Sequence, residues 1–216
     1  MYHIGMTQWI VGDEPLEVSC ERMQRYGYDG IEFAAEPYSL DAQDCLSLMD
    51  KYGLDCRSLC GIFGEDRDLT DAGSAGRRAV QYLKDSTDFA VRVGAKIIIV
   101  VPSPVGRTAK PEGVSVEELT ENAVKNIREA ADYAEQKGVR FAIEAINRYE
   151  TWFVNTLSKA MEFVNRVDHP AVGIMADLFH MSIEENSMVD SLYMIRDHLL
   201  HVHIADNTRE PAGMGT

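Results

Sequence analysis

Three polar residues end apolar stretches of the chain and are of types that bind metal ions. Glu144 ends the run VRFAIE, Asp177 ends VGIMAD, and His203 ends LHVH. A buried carboxylate without a partner is costly, so a cation beside Glu144 would explain its position. Two carboxylates and an imidazole, without a thiolate, suit Mn²⁺, Co²⁺ or Mg²⁺, and Zn²⁺ is possible. These residues predict a divalent-metal site; the alternative is that each is an interior polar residue satisfied by a neighbour.

A second set of polar residues lies a few positions further along the chain. Glu150, His180 and Arg209 follow the first three residues by six, three and six positions. In loops above the same end of the strands, a carboxylate, an imidazole and a guanidinium could surround a small polyol. As solvated loop charges they would have no function, and their spacing leaves both interpretations open.

The two-residue period of a strand predicts which side chains share a face. The faces expected to meet a layer of helices carry Phe141, Ile143, Ile174, Leu200, Val202 and Ile204. The opposite faces carry Ala142, Glu144, Gly173, Met175, Asp177, His201 and His203. In each strand the second face places a metal-binding residue near the carboxyl end, where the active sites of β/α barrels are built.

Amphipathic segments alternate with the apolar runs and supply the helices. Several end at a glycine that is typical of a left-handed helix cap, as in YGYDG, YGLD, VGAK and KGVR. The clearest helix follows Ser115, which forms a predicted capping box with Glu118. Four cysteines without a CxxC pair indicate reduced thiols in a cytoplasmic protein.

The alternation predicts an α/β fold of the TIM (β/α)8 barrel type. Seven strands alternate with six helices, and no linker divides the chain, so we expect a single domain over residues 1–216. A complete barrel usually takes about 250 residues. We therefore expect the eighth strand and helix to be missing, either from a truncated chain or with the gap covered by a second chain. Unpaired strand edges favour a homo-oligomer.

Charge and hydropathy exclude two classes of partner. The net charge of −14 argues against nucleic acid, whose binding needs a basic face. It also disfavours anionic membrane surfaces, and no stretch approaches the length of a membrane span. The first residues show no secretory leader. We expect a cytoplasmic protein with a small-molecule substrate.

Three segments of the sequence resemble motifs of the xylose-isomerase-like sugar isomerase and epimerase superfamily. They are IEAINRYETWFVNT, MADLFHMSIEE and HVHIADNTREPAGMG. Within the superfamily the resemblance is closest to the ketose 3-epimerases. It implies a metal-dependent sugar isomerase that epimerises a ketose at C3.

The resemblance also implies roles for individual residues. Glu144, Asp177 and His203 match three of four metal ligands, while Glu150, His180 and Arg209 match residues that hold the substrate. Glu144 would exchange a proton at C3 through an enediolate, opposite a second glutamate on the eighth strand. That strand is absent here, so Glu32 on the second strand is considered as a replacement base.

Other functions remain open at this level. The substrate could be a sugar phosphate, handled by an epimerase or isomerase of the same superfamily. The chain could also be a truncated, catalytically impaired fragment that binds sugar. A glycosidase barrel would not need Asp177 and His203 at matching depth, and the negative charge disfavours a DNA-repair endonuclease.

Overall fold

The computed structural model describes residues 2–12 and 14–216. The strands are β1 (Gly5–Thr7), β2 (Gly30–Ala34), β3 (Ser58–Cys60), β4 (Ile97–Val100), β5 (Arg140–Glu144), β6 (Val172–Asp177) and β7 (Leu199–His203). The helices are α1 (Leu16–Tyr26), α2 (Ala42–Tyr52), α3 (Ser74–Val93), α4 (Val116–Gln136), α5 (Leu157–Val167), α6 (Leu178–Glu184) and α7 (Met188–Ile195). A short 3-10 helix, Gln8–Val11, follows β1.

The seven strands form one parallel sheet in chain order, β1 to β7. The contact between the side chains of Glu32 on β2 and His203 on β7, 171 positions apart, shows that the sheet is curled. This architecture confirms the predicted α/β fold of the TIM-barrel type. In the described part of the chain β1 pairs only with β2, and β7 only with β6.

Helix boundaries follow local signals that the sequence carries. The side chain of Ser115 accepts a hydrogen bond from the backbone N–H of Glu118, which confirms the predicted start of α4. Gly27 ends α1 with a φ of 78°, and Gly94 ends α3 with a φ of 89°. Left-handed backbone of this kind favours glycine, so the predicted glycine caps are confirmed at these helices.

One short helix was not predicted. α6 begins directly after Asp177, and a loop was expected there, so the described residues contain seven α-helices and not six. The side chain of Asp177 accepts hydrogen bonds from the first N–H groups of α6. His180 therefore lies in a helix packed against the end of the sheet, not in a mobile loop above it.

Two apolar layers flank the sheet. The larger lies between the sheet and the helices, and it includes Phe141, Ile143 and Ile174 as expected. The smaller fills the interior of the curled sheet with Ile99, Ala142 and Met175. These strand faces confirm the predicted inward and outward directions along β5 and β6.

The predicted outward direction of Leu200 is wrong. A bulge between Ile174 and Met175 pairs these residues with Leu199 and His201, which leaves Leu200 as the extra residue on β7. Leu200 packs inside the sheet against the smaller apolar layer. The opposing residue is Gly173, where an added Cβ would lie 2.7 Å from the Leu200 side chain, so the glycine makes room for it.

The cysteines and the helices agree with two further expectations. All four cysteines are free thiols, three of them buried and Cys60 partly so. Burial raises the pKa of the Cys20 and Cys45 thiols to about 11. None of the described helices combines the length and the apolar character that a membrane crossing requires.

Candidate functional site

The ends of β5, β6 and β7 bring the three predicted metal-binding residues to one end of the sheet. Glu144, Asp177 and His203 are the last residues of their strands, and Asp177 is opposite His203 in the register. Oδ2 of Asp177 lies 3.6 Å from Nδ1 of His203. Glu144, Asp177 and His180 each place a ligand atom within 4.8 Å of the others. We call these three buried residues the Glu144 cluster.

Asp177 uses its two carboxylate oxygens differently. Oδ1 accepts hydrogen bonds from the backbone N–H groups of Phe179 and His180, at 2.8 and 3.2 Å, and so caps α6. Oδ2 faces His203. Burial alone would raise the pKa of Asp177, but His203 and His180 outweigh it and hold the pKa below its ordinary value. Asp177 is therefore an ionised carboxylate with one oxygen left for a ligand.

Glu144 is a buried carboxylate that no described residue satisfies by a hydrogen bond. Nε2 of His180 lies 3.7 Å from its Oε1, which is beyond hydrogen-bond distance. Burial raises the pKa of Glu144 to about 8; His203 opposes this rise, while Asp177 and Glu32 add to it. A carboxylate held in this state would be stabilised by a cation beside it.

His180 is held by a residue that the sequence analysis did not single out. The imidazole is 1% exposed, and its Nδ1 lies 2.8 Å from the side-chain nitrogen of Asn147. Its Nε2 is buried and has no hydrogen-bond partner among the described residues. The available signal for Asn147 was its position, as the first polar residue after Glu144 and the apolar pair Ala145–Ile146.

Glu150 and Arg209 continue the same chain of contacts outward. Oε1 of Glu150 accepts a hydrogen bond from the side-chain nitrogen of Asn147 at 2.9 Å. The same oxygen accepts one from Nη1 of Arg209 at 3.2 Å. The Arg209 guanidinium lies 4.5 Å from the centre of the Phe179 ring. The structure thus joins Glu150, His180 and Arg209 into one network, with Asn147 at its centre.

A second group of polar residues lies across the interior of the sheet. Oε1 of Glu32 is 2.8 Å from Nε2 of His203, and its Oε2 is 3.0 Å from Nε2 of His201. Ser58 donates a hydrogen bond to Oε2 at 2.5 Å. We call Glu32, Ser58, His201 and His203 the Glu32 cluster. These polar atoms were not predicted to meet, because β7 lies far along the chain from the neighbouring strands β2 and β3.

The charges of the Glu32 cluster satisfy one another. Burial would raise the pKa of Glu32, but the two imidazoles outweigh it and lower the pKa well below its ordinary value. Burial would likewise lower the pKa of His203, but Glu32 and Asp177 raise it well above its ordinary value. Glu32 is therefore a paired anion, which disfavours it as the replacement base considered above.

The donor atoms fit a hard divalent cation. Glu144, Asp177 and His180 place ligand atoms within 4.8 Å of one another. Nδ1 of His203 lies 3.6 Å from Oδ2 of Asp177, while its Nε2 contacts Glu32. Oxygen and imidazole ligands of this kind suit Mn²⁺, Mg²⁺ or Co²⁺. Ligating histidines usually donate their other ring N–H to a carboxylate, and the contact between His203 and Glu32 has this form.

A family model described as "xylose isomerase-like TIM barrel" matches residues 20–216 of the chain. The chain is 31% identical over 194 residues to an L-ribulose 3-epimerase of Methylomonas sp. (strain DH-1), covering 88% of this chain and 66% of that protein. It is 28% identical over 209 residues to a ketose 3-epimerase of Arthrobacter globiformis, covering 94% of this chain and 70% of that protein. The chain thus spans about two thirds of the length of these relatives.

The solved structures agree with the sequence matches. A crystal structure of D-allulose 3-epimerase from Methylomonas sp., in complex with D-allulose, superposes with a TM-score of 0.89. The two sequences are 27% identical, and the superposition covers 98% of this chain and 75% of that chain. The fold described above is therefore shared with an enzyme that binds a ketose.

Proposed function

The chain belongs to the xylose isomerase-like TIM barrel family, and on this basis we propose that it is part of a metal-dependent ketose 3-epimerase. The observation that carries the proposal is the buried Glu144 carboxylate, unsatisfied and beside Asp177 and His180 at the carboxyl ends of the strands. The similarity to ketose 3-epimerases supplies the substrate class. The unphosphorylated sugar is our first choice of substrate.

Glu144, Asp177 and His203 are the proposed metal ligands. When bound, Mn²⁺, Co²⁺ or Mg²⁺ would polarise the substrate carbonyl and so acidify the neighbouring C–H. Glu32 holds His203 by its Nε2 atom, which leaves Nδ1 facing Asp177. Because the pKa of His203 is raised, metal binding at Nδ1 has to displace a proton.

Glu144 is the proposed acid and base on one face of C3. A buried carboxylate that accepts no hydrogen bond from a described residue keeps an oxygen free to remove and return a proton. Removal from C3 gives an enediolate, and return of a proton from the opposite face gives the epimer. Glu32 is occupied by two imidazoles and Ser58, so we assign the second acid and base to an eighth β/α unit.

The remaining network is proposed to bind the sugar. His180 presents an unpartnered nitrogen next to Glu144, and Glu150 and Arg209 lie on the outer side of the same network. Arg209 is about half exposed and carries the positive charge of this network, so it can contact the far hydroxyl groups. The buried groups, Glu144 and His180, are thus proposed to contact the reacting carbons. The more exposed groups, Glu150 and Arg209, are proposed to contact the rest of the sugar and to set specificity.

Isotope incorporation tests the reaction. The protein is incubated with D-allulose and L-ribulose in D₂O and Mn²⁺, and the products are read by NMR. We expect deuterium at C3 and loss of the signal in Glu144→Gln. Label at C1 alone would mean aldose–ketose isomerisation and would overturn the proposal. Parallel incubation with a ketose phosphate tests the phosphorylated alternative.

Metal binding is tested separately by calorimetric titration of the chelator-treated protein. We expect one tight divalent site per chain, and we expect His203→Ala to lose it. If the folded protein binds none of Mn²⁺, Co²⁺ and Mg²⁺, the proposed metal site is wrong.

A further inference from the structure

Asn147 lies at the centre of the contacts that surround His180, and its amide orientation is set by its partners. The Oδ1 atom accepts a hydrogen bond from the backbone N–H of Tyr149 at 2.9 Å, which only an oxygen can do. The side-chain nitrogen faces Oε1 of Glu150 at 2.9 Å, and a carboxylate oxygen only accepts. Exchanging the two amide atoms would break both contacts.

The orientation of this amide decides the tautomer of His180. The second hydrogen of the Asn147 side-chain nitrogen points at Nδ1 of His180, 2.8 Å away. The backbone N–H of Asn147 also faces Nδ1, at 3.4 Å. Two donors converge on this ring nitrogen, so Nδ1 carries the lone pair and the proton of the neutral ring is on Nε2.

The Nε2 atom of His180 has no partner among the described residues, although it is fully buried. Oε1 of Glu144 lies 3.7 Å from it, beyond hydrogen-bond distance. A buried N–H without an acceptor costs free energy, which a ligand oxygen in the space beside Glu144 would recover. The unsatisfied atom therefore points to a ligand with a carbonyl or hydroxyl oxygen.

We propose that Asn147 is a positioning residue that holds His180 as an Nε2–H donor to a substrate oxygen. The ligand class in this inference rests on the proposed function, whereas the tautomer does not. His180 and His203 then have complementary roles, because the carboxylate partner of His203 frees its Nδ1 and the amide partner of His180 protonates its Nε2. His203 then keeps a ring nitrogen for a metal ion, and His180 keeps an N–H for a substrate oxygen.

Nitrogen NMR of the ¹⁵N-histidine-labelled protein tests the tautomer without any substrate. In the wild-type protein we expect His180 to carry its proton on Nε2. A proton on Nδ1 would overturn the proposal. In the presence of the diamagnetic Mg²⁺, added D-allulose is expected to shift the Nε2–H resonance; an unchanged resonance with D-allulose bound would refute the donor role.

Two substitutions in the same loop separate positioning from folding. Asn147→Asp keeps the shape but replaces the donor to Nδ1 with an acceptor, so the Nε2–H tautomer should be lost. Asn155→Asp is the matched control, because Asn155 is also buried and, among the described residues, its side chain bonds to the carbonyls of Ile146 and Thr151 and to Lys159. We expect the control to keep the His180 tautomer.

The kinetic expectation follows from one lost hydrogen bond. Asn147→Asp should lower kcat/KM by about tenfold to a hundredfold, and Asn155→Asp should lower it much less in the folded fraction. An Asn147→Asp protein that retains the Nε2–H tautomer would overturn the proposal. If both variants fail to fold, the nitrogen NMR spectrum of the wild-type protein still tests the tautomer of His180. Absence of ketose turnover by a chain that includes an eighth β/α unit would overturn the proposed function, and the expected tautomer would still leave the tautomer assignment standing.

Discussion

The Glu32 cluster and the Glu144 cluster meet where His203 contacts Asp177, yet their buried charges differ in whether they are paired. In the Glu32 cluster a carboxylate meets two imidazoles and a hydroxyl at 2.5–3.0 Å. In the Glu144 cluster the carboxylate and an imidazole nitrogen lie 3.7 Å apart, and neither has a hydrogen bond to the other. The two clusters have similar residue types, but the Glu144 cluster is buried and the imidazoles of the Glu32 cluster are partly exposed.

The difference in charge pairing indicates that the Glu144 cluster is the one that binds a ligand. Paired charges hold the pKa of Glu32 down, whereas burial without a partner raises the pKa of Glu144 to about 8. A strongly shifted pKa in an unsatisfied buried group is typical of a functional site. The Glu32 cluster instead connects β2 and β3 to β7 across the interior, which holds the curled sheet together. The Glu32 cluster thus contributes mainly to stability and the Glu144 cluster mainly to the proposed catalysis, and His203 contacts residues of both.

The largest expected effect is on activity, at Glu144. Glu144→Gln removes the group proposed to move the proton, so kcat should fall about a hundredfold to ten-thousandfold. The metal-free variant should be at least as stable as the wild type at neutral pH, because no described residue bonds to this carboxylate and its burial costs free energy. Turnover by NMR and unfolding in urea measure the two effects. Activity within a few fold of wild type would remove Glu144 from the mechanism.

The next effect is on stability, at Glu32. Glu32→Ala leaves His201 and His203 without their buried anion, so the free energy of unfolding should fall by about 3–5 kcal/mol. Metal affinity should also fall, by about tenfold to a hundredfold, because His203 loses the partner that orients it. Urea unfolding and calorimetry give the two values. A stable Glu32→Ala protein would contradict the structural role of this cluster.

The pH dependence of stability offers a third comparison. The pKa of Glu144 rises from 4.5 in the unfolded chain to about 8 in the folded one. The folded state then binds the proton more tightly, so the stability of the metal-free protein should fall as pH rises between these values. Glu144→Gln should flatten this part of the curve. Thermal unfolding at a series of pH values, with a chelator present, measures this dependence. If the stabilities of the wild type and Glu144→Gln changed with pH in parallel, the pKa of Glu144 would not be raised in the folded protein.

The smallest effect is expected at His201. This imidazole contacts Oε2 of Glu32 but faces neither Asp177 nor Glu144 in the described contacts. His201→Asn should cost about 1 kcal/mol of stability and leave metal affinity unchanged. Calorimetric titration beside His203→Ala gives the contrast. If His201→Asn lost as much metal binding as His203→Ala, His201 would belong to the metal site, and the distinction between the two clusters would be wrong.

Local rules determined much of the fold and the positions of the site residues. The alternation of apolar runs with amphipathic segments predicted the seven strands, and Ser115 and the cap glycines predicted helix ends. The period of the strands placed Glu144 and Asp177 on the inner face at the carboxyl ends. These features depend on backbone sterics and on neighbours within a few residues, so a sequence pattern can express them.

The tertiary structure decided which atoms meet. The bulge opposite Leu200 turned that residue inward, and the cap by Asp177 created α6 under His180. The pairing of Glu32 with His203 joins residues 171 positions apart, and it exists only because the sheet curls. Hydrogen-bond partners, and with them the tautomers and pKa values, depend on distances between side chains from different strands. No pattern along the chain contains those distances, which is why the sequence named the residues of the site but not their partners.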